Sequence, residues 1–328
     1  MRPSPLRRLL LAASLSLSLT AHADTQPGEP QELKDLHYGE VLFQLYQENH
    51  FQAIVHLLAA RKQGLMTAYE GEPELLLGGL YLAYGMPDTA ESLFEQVLAQ
   101  SASEQLQGRA WLQLAKARHR RNDPAAAQQA LGKAVPHLAP QTRDESLNLK
   151  GLLEILSQDS AEAATTLAEL SERGDWSSYG RFNRAIALIR NGDSKQGMAL
   201  LDEIGSDDAE TNEMRSIRDR ANLLLGYLAL ESEQAERARQ AFQRVRLSSP
   251  ASSQALLGAG WASLKLNQPE QALIPWQTLA KRTTSEPSVL EVQLAIPYAL
   301  AQLEAEQQSL QGYQDAILRY DTSLQELD

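Results

Sequence analysis

A small residue recurs along this chain at intervals of 34 to 41 residues, and that recurrence constrains the fold of its 328 residues more than any other feature. The series runs Val41, Gly78, Ala115, Gly151, Ala185, Gly226, Gly260 and Pro297, degenerate at its two ends. The companions of these markers recur as well. Leu77-Gly78 is followed by Tyr81, Ala90 and Phe94, and Leu225-Gly226 by Ala238, Phe242 and Pro250. Between them lie Trp111, Leu114-Ala115, Ala127, Leu131 and Ala134. Such a pattern places Gly or Ala in the middle of a first helix, where a second helix can approach closely, while large residues fill the gaps between neighbouring units. A unit of this size cannot bury its apolar face alone, so successive units must stack.

Breakers fall where paired helices would turn. Gly85-Met86-Pro87-Asp88, Asn122-Asp123-Pro124, Asn191-Gly192-Asp193 and Asn267-Gln268-Pro269 combine residues that accept left-handed geometry with prolines that suit a first helical position. The longer intervals place extra residues in loops at 205–212 and 283–287. Pro297 sits at a marker position inside a helix, where its missing N–H and its ring predict a bend or break near Ala295. Pro275 is expected near the start of its own helix, where it is more easily tolerated.

These offsets resemble those of the tetratricopeptide repeat family, from about Leu33 to Tyr320. The resemblance implies an all-α, right-handed superhelical α-solenoid of about eight helix pairs. It also implies an adaptor or scaffold that binds a protein partner rather than catalysing a reaction. The general plan is similar to that of periplasmic repeat proteins serving envelope assembly or polysaccharide export. The expected organisation is a cleavable signal over 1–23, a flexible lead-in over 24–32, repeats over 33–322 and a tail over 323–328.

Arg2, Arg7 and Arg8 followed by an apolar, Ser-rich run and Ala21-His22-Ala23 form the secretory signal pattern, which predicts a periplasmic location. The chain has no Cys, so neither a lipid-modified cysteine nor a disulfide is expected. No later stretch is apolar enough to span a bilayer. Removing the signal with its three arginines takes the net charge from −12 to −15, which argues against a nucleic-acid partner.

No phosphate loop, nucleophile elbow or His-Glu-x-x-His helix occurs, so no catalytic residue, metal or cofactor is expected. His50 and His56 lie six residues apart, off one helical face. In a stacked array the residue after each marker should face an inner groove: Lys116, Leu152, Ile186, Tyr227, Trp261 and Tyr298. Neighbouring turns add Tyr179, Phe182 and Arg190, and a basic patch of Arg109, Lys116, His119 and Arg120. The aromatics read either as partner anchors or as packing between units, and the cations either as a site for an acidic peptide or anionic polymer or as a solvated helix end. Carbohydrate or cell-wall polymer binding by the aromatics is the alternative function. The oligomeric state stays open.

Overall fold

The computed structural model describes residues 35–66, 69, 71–171, 174, 176–282 and 286–325. The expected signal and lead-in lie outside them. The described residues contain sixteen α-helices and no strand. They fall into two compact units, one through Trp176 and one from Ser177. In the first unit, helices pair in chain order: α1 (Leu36–Tyr46) with α2 (His50–Lys62), α3 (Glu72–Ala83) with α4 (Pro87–Gln100), α5 (Glu104–Arg120) with α6 (Pro124–Ala134), and α7 (Arg143–Leu156) with α8 (Ser160–Ala168). In the second, α9 (Ser177–Arg190) pairs with α10 (Ser194–Ser206), α11 (Asn212–Glu231) with α12 (Ala235–Gln243), α13 (Ser252–Lys265) with α14 (Pro269–Ala280), and α15 (Pro287–Gln302) with α16 (Glu306–Gln325).

All eight markers fall on first helices, including the degenerate Val41 and Pro297. Their register is kept by a repeated helix stop. Seven residues after every marker the backbone enters the left-handed region, at Glu48, Gly85, Asn122, Gln158, Gly192, Glu233, Asn267 and Glu304. The next N–H then returns to a carbonyl five residues back, as from Met86 to Tyr81 and from Gln268 to Ser263, both satisfying groups that a helix end leaves open. Pro87, Pro124 and Pro269 each begin the following helix, as their fixed φ favours.

The small markers do what their size suggests. A methyl group on Gly78 would run into the Phe94 ring, on Gly151 into Leu167, and on Gly260 into the indole of Trp276. Phe242 is gripped from both sides, since Gly226 of its own pair and Gly258 of the next both lie against its ring. Trp276 is fully buried and donates its Nε1–H to the Leu257 carbonyl at 3.0 Å, so this large side chain is satisfied as well as packed. A further tie closes the turn after α12: Asp219 of α11, fully buried, accepts from Arg246 Nε at 2.9 Å and Nη2 at 2.7 Å.

Two proline expectations need correction. Helix α15 runs unbroken through Pro297. Its partner α16 brings Ser309 and Gly312 against this position, with Ser309 Oγ donating to the Pro297 carbonyl at 2.8 Å, so tertiary packing holds a helix that local chemistry would interrupt. Pro275 lies at the seventh residue of α14, in its interior rather than its first turn. The loop expected over 205–212 is shorter, because α10 continues to Ser206, and α16 extends to Gln325, past the expected boundary at 322.

Candidate partner-binding face

The residue after each marker is buried or half-buried in every pair except the last of the series considered, and its contacts explain why. In three pairs a hydrogen bond or ion pair joins it to the residue six positions before the marker of the next first helix. Lys116 Nζ reaches Glu145 at 2.5 Å, Tyr227 OH donates to the Gln254 carbonyl at 3.2 Å, and Trp261 Nε1 donates to Glu291 at 2.9 Å. Leu152 and Ile186 in this position are fully buried. Of the six side chains expected to face an inner groove, Lys116, Leu152 and Ile186 are buried. Tyr298, in the final pair, is 45% exposed.

Two members of the expected basic patch, Arg109 and Lys116, are charge-compensated. Arg109 pairs with Glu72 of the preceding first helix at 2.6 Å, and Lys116 pairs with Glu145 of the following one. Arg120 donates to the Leu82 carbonyl at 3.0 Å, and burial lowers its pKa. His119 is largely enclosed, with Nδ1 buried and without a hydrogen-bond partner, and burial followed by the Arg120 charge lowers its pKa. Around the same helix end, Arg118 and Arg121 both bind Glu91, at 2.9 and 2.5 Å. Burial alone would raise the Glu91 pKa, but these two hydrogen bonds outweigh it and hold the carboxyl below its ordinary range. At this helix end Arg118 and Arg121 thus tie α5 to α4, and Arg120 ties it to α3.

In the second unit Tyr179 hydrogen-bonds Glu213 of the next first helix, and burial, then Glu213, pushes its hydroxyl pKa up. Phe182 is buried core, and Arg190 is half-buried with its pKa lowered by burial. The structure brings together Trp261 and Tyr298. Trp261 meets Trp276 edge-on at 5.0 Å between ring centroids and lies 6.4 Å from Tyr298 at an interplanar angle of 45°. Tyr227 packs edge-on against Phe242 at 5.1 Å, and its pKa is pushed up to about 12 by burial and then by Glu291. Burial and then Glu291 also raise the pKa of Tyr320 on α16, whose hydroxyl donates to the Leu290 carbonyl at 2.9 Å. Glu291 and Tyr320 were not singled out from sequence, although counting back six residues from Pro297 reaches Glu291, as it reaches Gln254 from Gly260 and Glu145 from Gly151.

Among the described residues no group of three or more His, Cys, Asp or Glu side chains is arranged to hold a metal, and no helix is long and apolar enough to cross a membrane.

Residues 223–287, from within α11 to the start of α15, match the tetratricopeptide repeat family model. No curated protein matches the chain. Solved structures do. The apo form of RapI aligns over 88% of this chain and 86% of its own at 12% identity, with a TM-score of 0.64. A tetratricopeptide repeat protein from Parabacteroides merdae aligns over 80% of this chain and 97% of its own at 14% identity, with a TM-score of 0.53. PilW, a widely conserved type IV pilus biogenesis factor, aligns over 68% of this chain and 97% of its own at 15% identity, with a TM-score of 0.52. These likenesses concern fold: residues 223–287 match the tetratricopeptide repeat family, and the eight marked helix pairs stack in the manner of a tetratricopeptide-type repeat array.

Proposed function

We propose that the protein is a periplasmic scaffold that holds a segment of another envelope protein against the first-helix face of its C-terminal unit. The observation that carries this reading is the Trp261–Tyr298 pair: two aromatic rings on neighbouring first helices, one of them 45% exposed. Large aromatic side chains with limited rotamer freedom are efficient anchors for a partner. The repeat fold supports a binding role, and the fold likeness to a pilus biogenesis factor, together with the signal pattern at residues 1–23, supports an envelope setting. Arg109 and Lys116 of the first unit are already paired with carboxylates, which leaves those two cations little capacity for an anionic polymer.

The test is an affinity pull-down from envelope extract with residues 24–328, in parallel with a Trp261→Ala, Tyr298→Ala variant whose helicity and melting are checked. A protein retained by the parent and lost by the folded variant is the expected result. Retention of saccharide-elutable wall material and no protein would replace the scaffold reading with polymer binding.

A further inference from the structure

Glu291 is an exposed carboxylate on α15 held in place by a neutral donor. One of its oxygens accepts the Trp261 indole N–H, and no cation among the described residues pairs with it. An ionised carboxylate offers about four acceptor positions, so most of its capacity remains open. The indole it holds, Trp261 on α13, lies 6.4 Å from the Tyr298 ring, so the carboxylate sits at the edge of an aromatic pair.

The chain itself shows what this position accommodates. In the first unit the same two register positions, one after a marker and six before the next, are occupied by Lys116 and Glu145, which close a 2.5 Å ion pair. At the corresponding step in the second unit the carboxylate is kept, as Glu291, but the ammonium is replaced by the Trp261 indole. The carboxylate is therefore present without its cation. Beside it the Trp261 and Tyr298 rings are 6.4 Å apart between centroids and inclined at 45°, so a single point can lie within about 6 Å of both centroids, the working limit for a cation near a ring.

We propose that Glu291, Trp261 and Tyr298 form a recognition site for a basic side chain, Lys or Arg, of the bound protein segment. This rests on the reading of the first-helix face as the partner-binding surface. A cation placed there would take the role that Lys116 plays toward Glu145, with the rings covering its alkyl stem and stabilising its charge. An acidic segment meets repulsion at the same place.

The experiment titrates the purified protein with a lysine tetrapeptide, an arginine tetrapeptide and a glutamate tetrapeptide, following tryptophan fluorescence and heat of binding. Two charge-neutralising variants are compared. Glu291→Gln keeps an oxygen for the indole N–H and so preserves the local packing. Glu162→Gln, on an exposed position of α8 in the other unit, removes the same charge elsewhere. The expected result is binding of the lysine or arginine peptide by the parent, at least a tenfold loss in Glu291→Gln with unchanged helicity, and no change in Glu162→Gln. Equal loss in both variants would assign the binding to the overall acidity of the chain, and unchanged affinity in Glu291→Gln, or no binding by the parent, would overturn the proposal. Pull-down separates the two readings: a partner lost by Trp261→Ala, Tyr298→Ala but kept by Glu291→Gln leaves the binding face standing and removes the basic-residue preference.

Discussion

Adjacent glycines in α3 have opposite structural meanings. A methyl group on Gly78 would collide with the Phe94 ring, whereas a methyl on Gly79 meets nothing within 4 Å. Overpacking a filled contact costs about 1–3 kcal/mol, while replacing an unconstrained helical glycine by alanine gains about 0.5–1 kcal/mol. Gly78→Ala is therefore expected to lower the urea midpoint and Gly79→Ala to raise it, with unchanged m-values in both. Sequence reading identified Gly78 because it belongs to a spaced set with Ala90 and Phe94; Gly79 carries no such pattern. At the proposed binding face, Trp261 and Tyr298 were singled out through the same spacing. Glu291 was not, because a single glutamate in an acidic helical chain does not stand out until its partner helix is known. Lys116 was misread for the complementary reason: nothing local to it reveals Glu145 on the following first helix.

At the level of single elements, the helix stops divide into two kinds. Gly85, Asn122, Gly192 and Asn267 take the left-handed conformation readily and were legible as turns. Glu48, Gln158, Glu233 and Glu304 adopt it only because the pairing of their helices requires it. Left-handed geometry costs such residues roughly 1–2 kcal/mol, and glycine returns about 0.5–1 kcal/mol of that as greater freedom in the unfolded chain. Glu233→Gly should thus stabilise the protein by about 0.5–1 kcal/mol, measurable as an increased denaturation midpoint. The C-terminal turn of α5 carries a pH dependence. The folded state keeps His119 neutral at pH values where the unfolded chain, near its ordinary pKa of about 6.5, takes up a proton. Unfolding then binds protons, so stability falls as pH drops through that value. The Tm of the parent should decrease between pH 8 and 5.5, and His119→Gln should flatten that decrease. Glu91 and Asp202, whose pKa values are held low against burial by arginine hydrogen bonds, contribute their losses only at more acidic pH.

Across the whole chain, interactions join each helix to the next one or two along the sequence, within each unit. Stability in such an array is a sum of local terms rather than the property of one core. Gly260→Ala, which forces the Trp276 indole from its site, should accordingly reduce hydrogen-exchange protection in α13 to α15 and leave α3 to α6 unchanged. Equal loss of protection in both regions would show a cooperativity that these neighbour-to-neighbour contacts do not supply. The first described pair, α1–α2, leaves Phe43, Tyr46 and Phe51 exposed.

The short reach of these ties also bears on how the chain acquires its structure. The Arg244–Asp202 pair, which links second helices α10 and α12 through the end of α12, spans 42 residues, and Lys116–Glu145 spans 29. Low contact order favours rapid ordering, because little chain must be gathered before a contact forms. A polypeptide emerging end first from a ribosome or a narrow pore can therefore complete one helix pair, with its Gly–ring contact and its left-handed stop, while the remainder is still extended. Its nascent apolar surface is covered a pair at a time.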